Sequence, residues 1–249
     1  MTRKREKKRI AEDQQEPLID NKINQPFKKN SIQIISKIKP KSPNQEKLVD
    51  SILNNQFTIC AGRPGTGKTL LSCYESLKLL LRKDLNYNKI FLCKSVVPLS
   101  TTENIGFLKG SLSDKYENIA ESFMDNFHKI IDEKDSDELI ENKIIVLTPV
   151  SFLRGRSLSD IVIVDECQNL SIDVLHTILT RIETGGKLIL LGDIKQQDLK
   201  GSSGFETIIK HFKDVENFGV VELNEDQDVQ RNPMINVIEK IFDKIFLKK

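Results

Sequence analysis

The residues best suited to chemistry lie in a glycine-rich segment that matches the pattern G-x-x-x-x-G-K-[ST] at every position. Its members are Gly62, Arg63, Pro64, Gly65, Thr66, Gly67, Lys68 and Thr69. Glycines allow main-chain N–H groups to converge on an anion, because no Cβ stands between the backbone and the ligand. In this pattern the lysine reaches the β- and γ-phosphates and the threonine hydroxyl binds Mg²⁺. We therefore predict a loop that binds the phosphates of ATP, with Leu70 as the last residue of the contact segment.

The segments on either side of the loop have the order that such a loop requires. FTICA (57–61) is a short apolar run typical of a buried strand, and KTLLSCYESLKLLLRK (68–83) has apolar residues at helical spacing. A helix that begins near Lys68 would add the positive end of its dipole to the phosphate site. The alternative is a chance glycine-rich turn, which the order of strand, loop and helix disfavours.

A pair of acids follows a second apolar run, DIVIVD (160–165). Asp165 ends the run and Glu166 comes next, so both carboxylates are expected at the end of a buried strand. Beside a phosphate loop, Asp165 is placed to hold Mg²⁺ and Glu166 to act as the general base toward water. The alternative is a strand end that two solvated acids happen to cap.

Three more polar residues are candidates for contact with the nucleotide. Gln196 follows the apolar run KLILLGD (187–193), where a neutral amide can contact the γ-phosphate. Arg231 follows the last apolar run and is either a γ-phosphate contact or an ordinary surface charge. Gln45 offers an amide that can pair with N6 and N7 of adenine.

The elements that must position these residues alternate between strands and helices. The six strand-like runs are 57–61, 89–94, 143–149, 160–165, 187–193 and 219–223. Helical patterns cover 42–55, 68–83, 113–131, 171–183, 204–213 and 233–247, and the acidic stretch 131–142 is predicted to be a surface excursion. Continuously apolar strands between helices indicate a doubly wound, mostly parallel α/β sheet with helices on both faces. Ligands of such sheets bind at the carboxyl ends of the strands.

Charge and cysteine content indicate how the chain is divided and in which compartment it works. Residues 1–50 carry 13 Lys and Arg against 7 Asp and Glu, so we predict a basic, disordered tail and linker over 1–40 and a folded domain over 41–249. That tail is either a solvated leader or a contact for nucleic acid. The four cysteines lie far apart, which indicates reduced thiols and a cytoplasmic protein. Because no apolar stretch approaches about 18 residues, we expect no membrane span.

The order of motifs along the chain resembles that of the PhoH-like family of ATPases. The matching stretches are SPNQEK, AGRPGTGKT, NIGFLKG, LTPVSFLRGRSLSD, VIVDECQN, ILTRI, LLGDIKQQDL and VQRNP, spread over about residues 40–245. The resemblance implies a RecA-like P-loop fold similar to the first motor domain of superfamily 1 helicases. It further implies ATP hydrolysis, ring-shaped homo-oligomers and a link to RNA or DNA.

Residue by residue, the resemblance assigns Gly62 to Thr69 to the phosphate loop, Asp165 and Glu166 to the metal and base pair, and Gln196 to a phosphate sensor. The sequence departs from the family at Cys167, where alanine is usual, and at Arg63-Pro64, where Pro-Ala is more usual. The arginine adds charge near the phosphates.

A single motor domain lacks the second domain that encloses ATP in superfamily 1 motors. We therefore expect a homo-oligomer, a hexamer by the resemblance, whose subunits share ATP sites at their boundaries. Arg181, on the helix after the acid pair, is the candidate for an arginine supplied in trans, and Arg156 is the second choice. Arg154 and Arg156 flank a glycine in FLRGRS and contact nucleic acid, contact a neighbouring subunit, or are simply solvated. The leading hypothesis is an ATPase coupled to RNA or single-stranded DNA. The alternatives are a nucleotide-switched binding module and a P-loop kinase.

Overall fold

The six strands form one fully parallel sheet in the order β3-β2-β4-β5-β1-β6. The structure is a computed structural model that describes residues 32–95, 121–197 and 203–246. The strands are β1 (Phe57–Gly62), β2 (Ile90–Lys94), β3 (Ile145–Leu147), β4 (Ile161–Asp165), β5 (Lys187–Gly192) and β6 (Phe218–Leu223). Each coincides with one of the predicted apolar runs, which confirms the predicted α/β fold class.

The helices mostly follow the predicted patterns. They are α1 (Pro43–Asn54), α2 (Lys68–Leu81), α3 (Glu133–Glu141), α4 (Ile172–Leu179), α5 (Gly204–Phe212) and α6 (Met234–Phe246), and residues 121–127 are also helical. The motif NIGFLKG, the first part of the pattern 113–131 and the basic tail 1–31 lie outside the described residues.

Three helices differ from the prediction. The helix predicted over 113–131 ends at residue 127, because Ile131 pairs with Ile34 in a β-bridge. The acidic stretch expected as a surface excursion contains α3, because the Asp132 side chain accepts a hydrogen bond from the Lys134 N–H at 3.0 Å and Leu139 is buried beneath it. The fourth helix is shorter than predicted and ends at Leu179. Residues beyond it turn to pair with Leu158, whose N–H donates to the Arg181 carbonyl at 2.9 Å.

Helices cover both faces of the sheet, so the central strands are buried throughout. One face carries an apolar cluster with alternate residues of β1, β4 and β5 against α4 and α5, which includes Ile59, Val162, Leu188 and Phe205. On the other face α1 and α2 pack against each other and against the sheet, with Leu48, Ile52 and Leu77 fully buried. This arrangement explains why the strands are continuously apolar rather than alternating.

The described chain begins with a short segment that already contacts the domain. Ile32 is buried, Ile34 forms an antiparallel bridge with Ile131, and the Ile35 N–H donates to the Ile130 carbonyl at 2.9 Å. The division between tail and domain at residue 40 stays a prediction. Among the described residues, no helix is both long and apolar enough to cross a bilayer.

Candidate nucleotide-binding site

The glycine-rich loop joins the carboxyl end of β1 to the first turn of α2, as predicted. Gly65 and Gly67 adopt left-handed φ values of 74° and 77°, and Gly67 is the N-cap of α2. A Cβ added to Gly65 would lie 2.9 Å from Arg231 Cβ and 3.0 Å from Ile235 Cδ1. Only glycine therefore fits this position, both for its backbone angle and for the room it leaves.

Lys68 lies at the centre of the loop. Its ammonium donates to the carbonyls of Gly62 at 2.6 Å and Arg63 at 3.0 Å, so the side chain arches back over the loop that precedes it. The Thr66 hydroxyl donates to the same Arg63 carbonyl at 2.8 Å and is fully buried. A positive charge is thus held where the loop N–H groups and the start of α2 converge. Pro64 and Leu70 are partly buried on either side of this centre.

The two predicted metal ligands lie in direct contact. The Thr69 hydroxyl donates to Asp165 Oδ2 at 2.8 Å, which joins the start of α2 to the end of β4 across 96 positions of sequence. Burial raises the pKa of Asp165, and the Thr69 hydrogen bond opposes that rise. A hydroxyl and a carboxylate fit Mg²⁺, which takes hard oxygen ligands and few of them from protein. Nowhere in the described chain do three or more His, Cys, Asp or Glu side chains cluster as metal ligands.

Glu166 is positioned by a residue that the sequence analysis did not single out, Gln168. Glu166 has a left-handed φ of 58° at the start of a short turn, Cys167–Asn169. The Gln168 amide donates to Glu166 Oε2 at 2.7 Å, and its oxygen accepts from the Asp193 N–H at 3.0 Å. Gln168 is buried and therefore fixes the carboxylate of Glu166 relative to the end of β5. Its place in the motif DECQN was the only signal for this role.

Gln196 and Arg231 lie at the same edge of the sheet as the loop. Gln196 ends a short turn after β5; its side chain is exposed and its carbonyl lies 3.4 Å from Gln168 Nε2. Arg231 is exposed, and its N–H donates to the Gly65 carbonyl at 3.2 Å. Their roles toward a γ-phosphate stay predictions.

Gln45 contacts the loop instead of presenting a free amide. Its oxygen accepts from the Lys41 N–H at 2.6 Å, and its nitrogen donates to the Thr66 carbonyl at 2.8 Å. The side chain is only 3% exposed. These contacts brace the loop from the start of α1, and the predicted pairing with adenine stays a prediction.

A buried carboxylate that the sequence analysis missed, Asp228, holds the surroundings of the loop together. It accepts from Ser42 Oγ at 2.5 Å, from Asn44 Nδ2 at 3.1 Å and from the Glu225 N–H at 2.9 Å. Two residues further along, the Gln230 N–H donates to the Gly65 carbonyl at 2.9 Å. Asp228 therefore ties the start of α1 to the segment that supports the loop from the opposite side.

The arginine of the loop is engaged outside the phosphate cradle. Arg63 Nη1 lies 3.0 Å from Asp226 Oδ1 and 3.3 Å from Asn236 Oδ1, which belongs to α6. A groove of about 290 Å³ lies beside it, lined by residues from the ends of β1, β5 and β6. The residues are Ala61, Arg63, Asp193, Ile194, Lys195 and Asn224.

The structure does not bring the remaining predicted arginines to the loop of the same chain. Arg181 is exposed just beyond the end of α4, beside Leu158 and near the amino end of β5, so it is not on the helix as predicted. Arg154 and Arg156 are exposed around Gly155, which has a left-handed φ of 79°.

The parallel sheet, the glycine loop at the carboxyl end of β1 and the acid at the end of β4 define a P-loop nucleotide-binding protein. The chain belongs to the PhoH-like family, whose model matches residues 37–243. This confirms the resemblance found in the motifs.

Comparison with individual proteins agrees with this assignment. The chain is 32% identical over 210 residues to the PhoH-like protein of Bacillus subtilis (strain 168), covering 83% of this chain and 64% of the relative. It is 31% identical over 210 residues to the PhoH-like protein of Synechocystis sp., covering 83% and 62%. The chain thus spans about three fifths of the length of these relatives. Among solved structures, the large terminase of the thermophilic bacteriophage D6E matches with a TM-score of 0.52 at 12% identity, covering 81% of this chain and 50% of the terminase. That likeness concerns the fold alone.

Proposed function

We propose that this chain is a Mg²⁺-dependent ATPase whose hydrolysis is coupled to the binding of RNA or single-stranded DNA. The observation that carries the proposal is the contact of Thr69 with Asp165 at the phosphate loop, with Glu166 oriented beside it by Gln168. A phosphate loop alone serves many functions, whereas an oriented carboxylate at the adjacent strand end supports attack by water.

Each side chain has a separate task in this proposal. The loop N–H groups and Lys68 bind the phosphates, and Arg231 and Gln196 face the γ-phosphate from the neighbouring strand ends. Thr69 and Asp165 would hold Mg²⁺, which when bound neutralises charge on the phosphate oxygens. Glu166 orients the attacking water and accepts its proton, and the hydrogen bond from Gln168 fixes the direction of the carboxylate.

The replacement Glu166→Gln tests the hydrolytic step. The variant should bind Mg-ATP with normal affinity and release phosphate roughly 10²–10⁴-fold more slowly, because an amide cannot accept the proton. Glu141→Gln, which changes an exposed glutamate at the end of α3, is the matched control and should retain full activity. Release of phosphate without any added acceptor would separate an ATPase from a kinase. Normal turnover in Glu166→Gln would contradict the assigned base.

Coupling to nucleic acid is what the motif resemblance implies, and the exposed arginines Arg154 and Arg156 support it. RNA or single-stranded DNA should raise the rate of phosphate release. The double replacement of these arginines by alanine should weaken either nucleic-acid binding in a gel-shift titration or assembly in light scattering, and no change in both would contradict a role for them. Binding without any change in rate would instead support a nucleotide-switched module.

The proposal includes a cytoplasmic homo-oligomer, a ring of six, in which a second copy completes the ATP site. All four cysteines are free and buried, which supports a reducing compartment. Arg181 is the arginine proposed to act in trans, with Arg156 as the second choice. Arg181→Ala and Glu166→Gln proteins should each be nearly inactive and should regain part of the activity when mixed. A monomer with full activity in light scattering would contradict the shared site.

A further inference from the structure

Helix α6 packs its polar side against the domain, and its apolar side faces solvent. On the inner side Asn236 contacts Arg63, Lys240 contacts Asp226, and Asp243 accepts from Lys195 Nζ at 2.7 Å. A surface helix ordinarily buries its apolar stripe, so this orientation is inverted.

The outer side carries a continuous apolar stripe. Its six members recur at the helical spacing of three and four residues and are each between 46% and 55% exposed. They are Met234, Val237, Ile238, Ile241, Phe242 and Ile245. Such a stripe presents apolar surface on the order of 500 Å², which matches the largest patches of monomers and marks an interaction site.

The position of α6 links this stripe to the nucleotide site. Ile235 approaches Gly65, where a Cβ would lie 3.0 Å from Ile235 Cδ1, and Asn236 contacts Arg63 of the same loop. At its other end α6 reaches Lys195, in the turn after β5 that also contains Gln196. Whatever covers the outer side therefore lies within one helix diameter of the phosphate loop.

A complementary surface lies at the opposite edge of the sheet, after β3. Phe152 is 51% exposed there and, among the residues whose side chains the structure describes, it is the only exposed phenylalanine outside α6. Arg154 and Arg156 follow it and are exposed on a turn around Gly155, at which an added Cβ would meet open space. An aromatic side chain and arginines are the residues most enriched at protein interfaces.

The charges of the two surfaces also complement each other. The segment 222–226, which is separated from α6 by seven residues, carries Glu222, Glu225 and Asp226, all exposed. The Asn236 amide donates to the Asp226 carbonyl at 3.0 Å, which fixes this acidic segment beside the helix. Asp226 is already paired with Arg63 and Lys240, so two arginines that approach this segment would meet the carboxylates of Glu222 and Glu225.

We propose that Phe152, Arg154 and Arg156 of one copy dock on the outer side of α6 and the acidic segment 222–226 of a second copy. The inference rests on the proposed homo-oligomer and names its contact surface. The two surfaces lie at different edges of the sheet and are both exposed within one copy. The contact is therefore head-to-tail and repeats from copy to copy. It would deliver two arginines of one subunit to the border of the phosphate loop of the next.

Thiol cross-linking between two kinds of copy tests this contact directly, because the four natural cysteines are buried. A tagged Phe152→Cys protein is mixed with an untagged Ile241→Cys protein and treated with a short bismaleimide. We expect a tagged product of twice the mass of one 28.5 kDa chain. Val215→Cys, at an exposed site before the amino end of β6, replaces Ile241→Cys as the matched control and should give none.

A second variant asks whether the stripe is needed for assembly. Ile238→Asp with Ile241→Asp changes two exposed residues and should reduce the mass in light scattering to that of one chain, with unchanged thermal unfolding. Three results would overturn the proposed contact. They are an assembly of unchanged mass in the double variant, a cross-link formed only between two Ile241→Cys copies, and a wild-type protein that is monomeric at every concentration. Phosphate release is measured alongside. An active, assembled ATPase without the 152–241 cross-link refutes this surface alone, whereas the cross-link without ATP hydrolysis refutes only the proposed activity.

Discussion

Replacement of Asp228 by alanine should destabilise the domain strongly, although this residue belongs to no predicted motif. Its carboxylate is fully buried and accepts hydrogen bonds from Ser42, Asn44 and the Glu225 N–H. Alanine would leave these three donors without their acceptor. Ser42 and Asn44 are buried, and each buried unsatisfied donor costs about 1–3 kcal/mol. Because neighbouring groups relax together, we expect a total loss of about 3–5 kcal/mol, a large share of the stability of a typical domain.

The loss is measured as a shift of the urea midpoint at constant m-value. Asp228→Asn keeps one acceptor oxygen, so its free energy of unfolding should fall less than that of Asp228→Ala. Asp226→Ala is the matched control, since this carboxylate lies in the same turn but is exposed and bonded only at the surface. The reasoning is refuted if Asp228→Ala shifts the midpoint no further than Asp226→Ala does. Nucleotide affinity should fall together with stability in Asp228→Ala, because the segment after Asp228 supports the Gly65 carbonyl.

Three further outcomes are expected from other positions. Lys68→Ala should lose tight ATP binding, because the ammonium is the cation held at the centre of the loop, and unchanged affinity in a titration would contradict the assigned loop. Gly65→Ala should lower both stability and nucleotide affinity, through a left-handed φ that costs about 1–2 kcal/mol and through the clash with Arg231. Gly185→Ala has a similar backbone strain without a clash and should leave nucleotide affinity unchanged, so equal effects of the two replacements would exclude the clash. Burial lowers the pKa of Lys187 to about 8. The folded state therefore releases this proton at a lower pH than the unfolded state, whose lysine has an ordinary pKa near 10.4. The free energy of unfolding should consequently increase as the pH rises from about 8 to about 10.4. Lys187→Met should therefore lose stability relative to wild type over that pH range in denaturant titrations, and a constant difference would contradict the shifted pKa.

The strands and the phosphate loop were predictable because their signals are local. A continuous apolar run such as 161–164 indicates a doubly covered strand wherever it occurs, and the spacing of glycines and Lys68 is itself the motif. Asp165 and Glu166 followed from their place at the end of such a run. Thr69 and Asp165 were both assigned to one Mg²⁺ site although 96 positions separate them, whereas the contact of Gln168 with Glu166 was not predicted.

The contacts that sequence reasoning missed are those made by ordinary residue types between distant segments. Asp228 bonds to Ser42 across 186 positions, and nothing in the local sequence distinguishes it from the exposed Asp226 nearby. The contact of Gln45 with adenine stays a prediction, but its hydrogen bond to the Thr66 carbonyl was not foreseen. The pattern of α6 shows which side of the helix is apolar, but only the contacts of the opposite side reveal that the apolar side faces solvent.

The strand order also dictates when the nucleotide site can form during synthesis of the chain. Among the strands that the structure describes, β1, which carries the phosphate loop, pairs with β5 and β6, whose residues come about 130 and 160 positions later. Contacts of such long sequence separation form slowly, and chains emerge from the ribosome amino terminus first. β2, β3 and β4 can pair with one another while β1 still has no neighbour to join. The loop therefore gains its scaffold only after Leu223 has been made, so ribosome-bound chains that stop before β5 should not bind ATP.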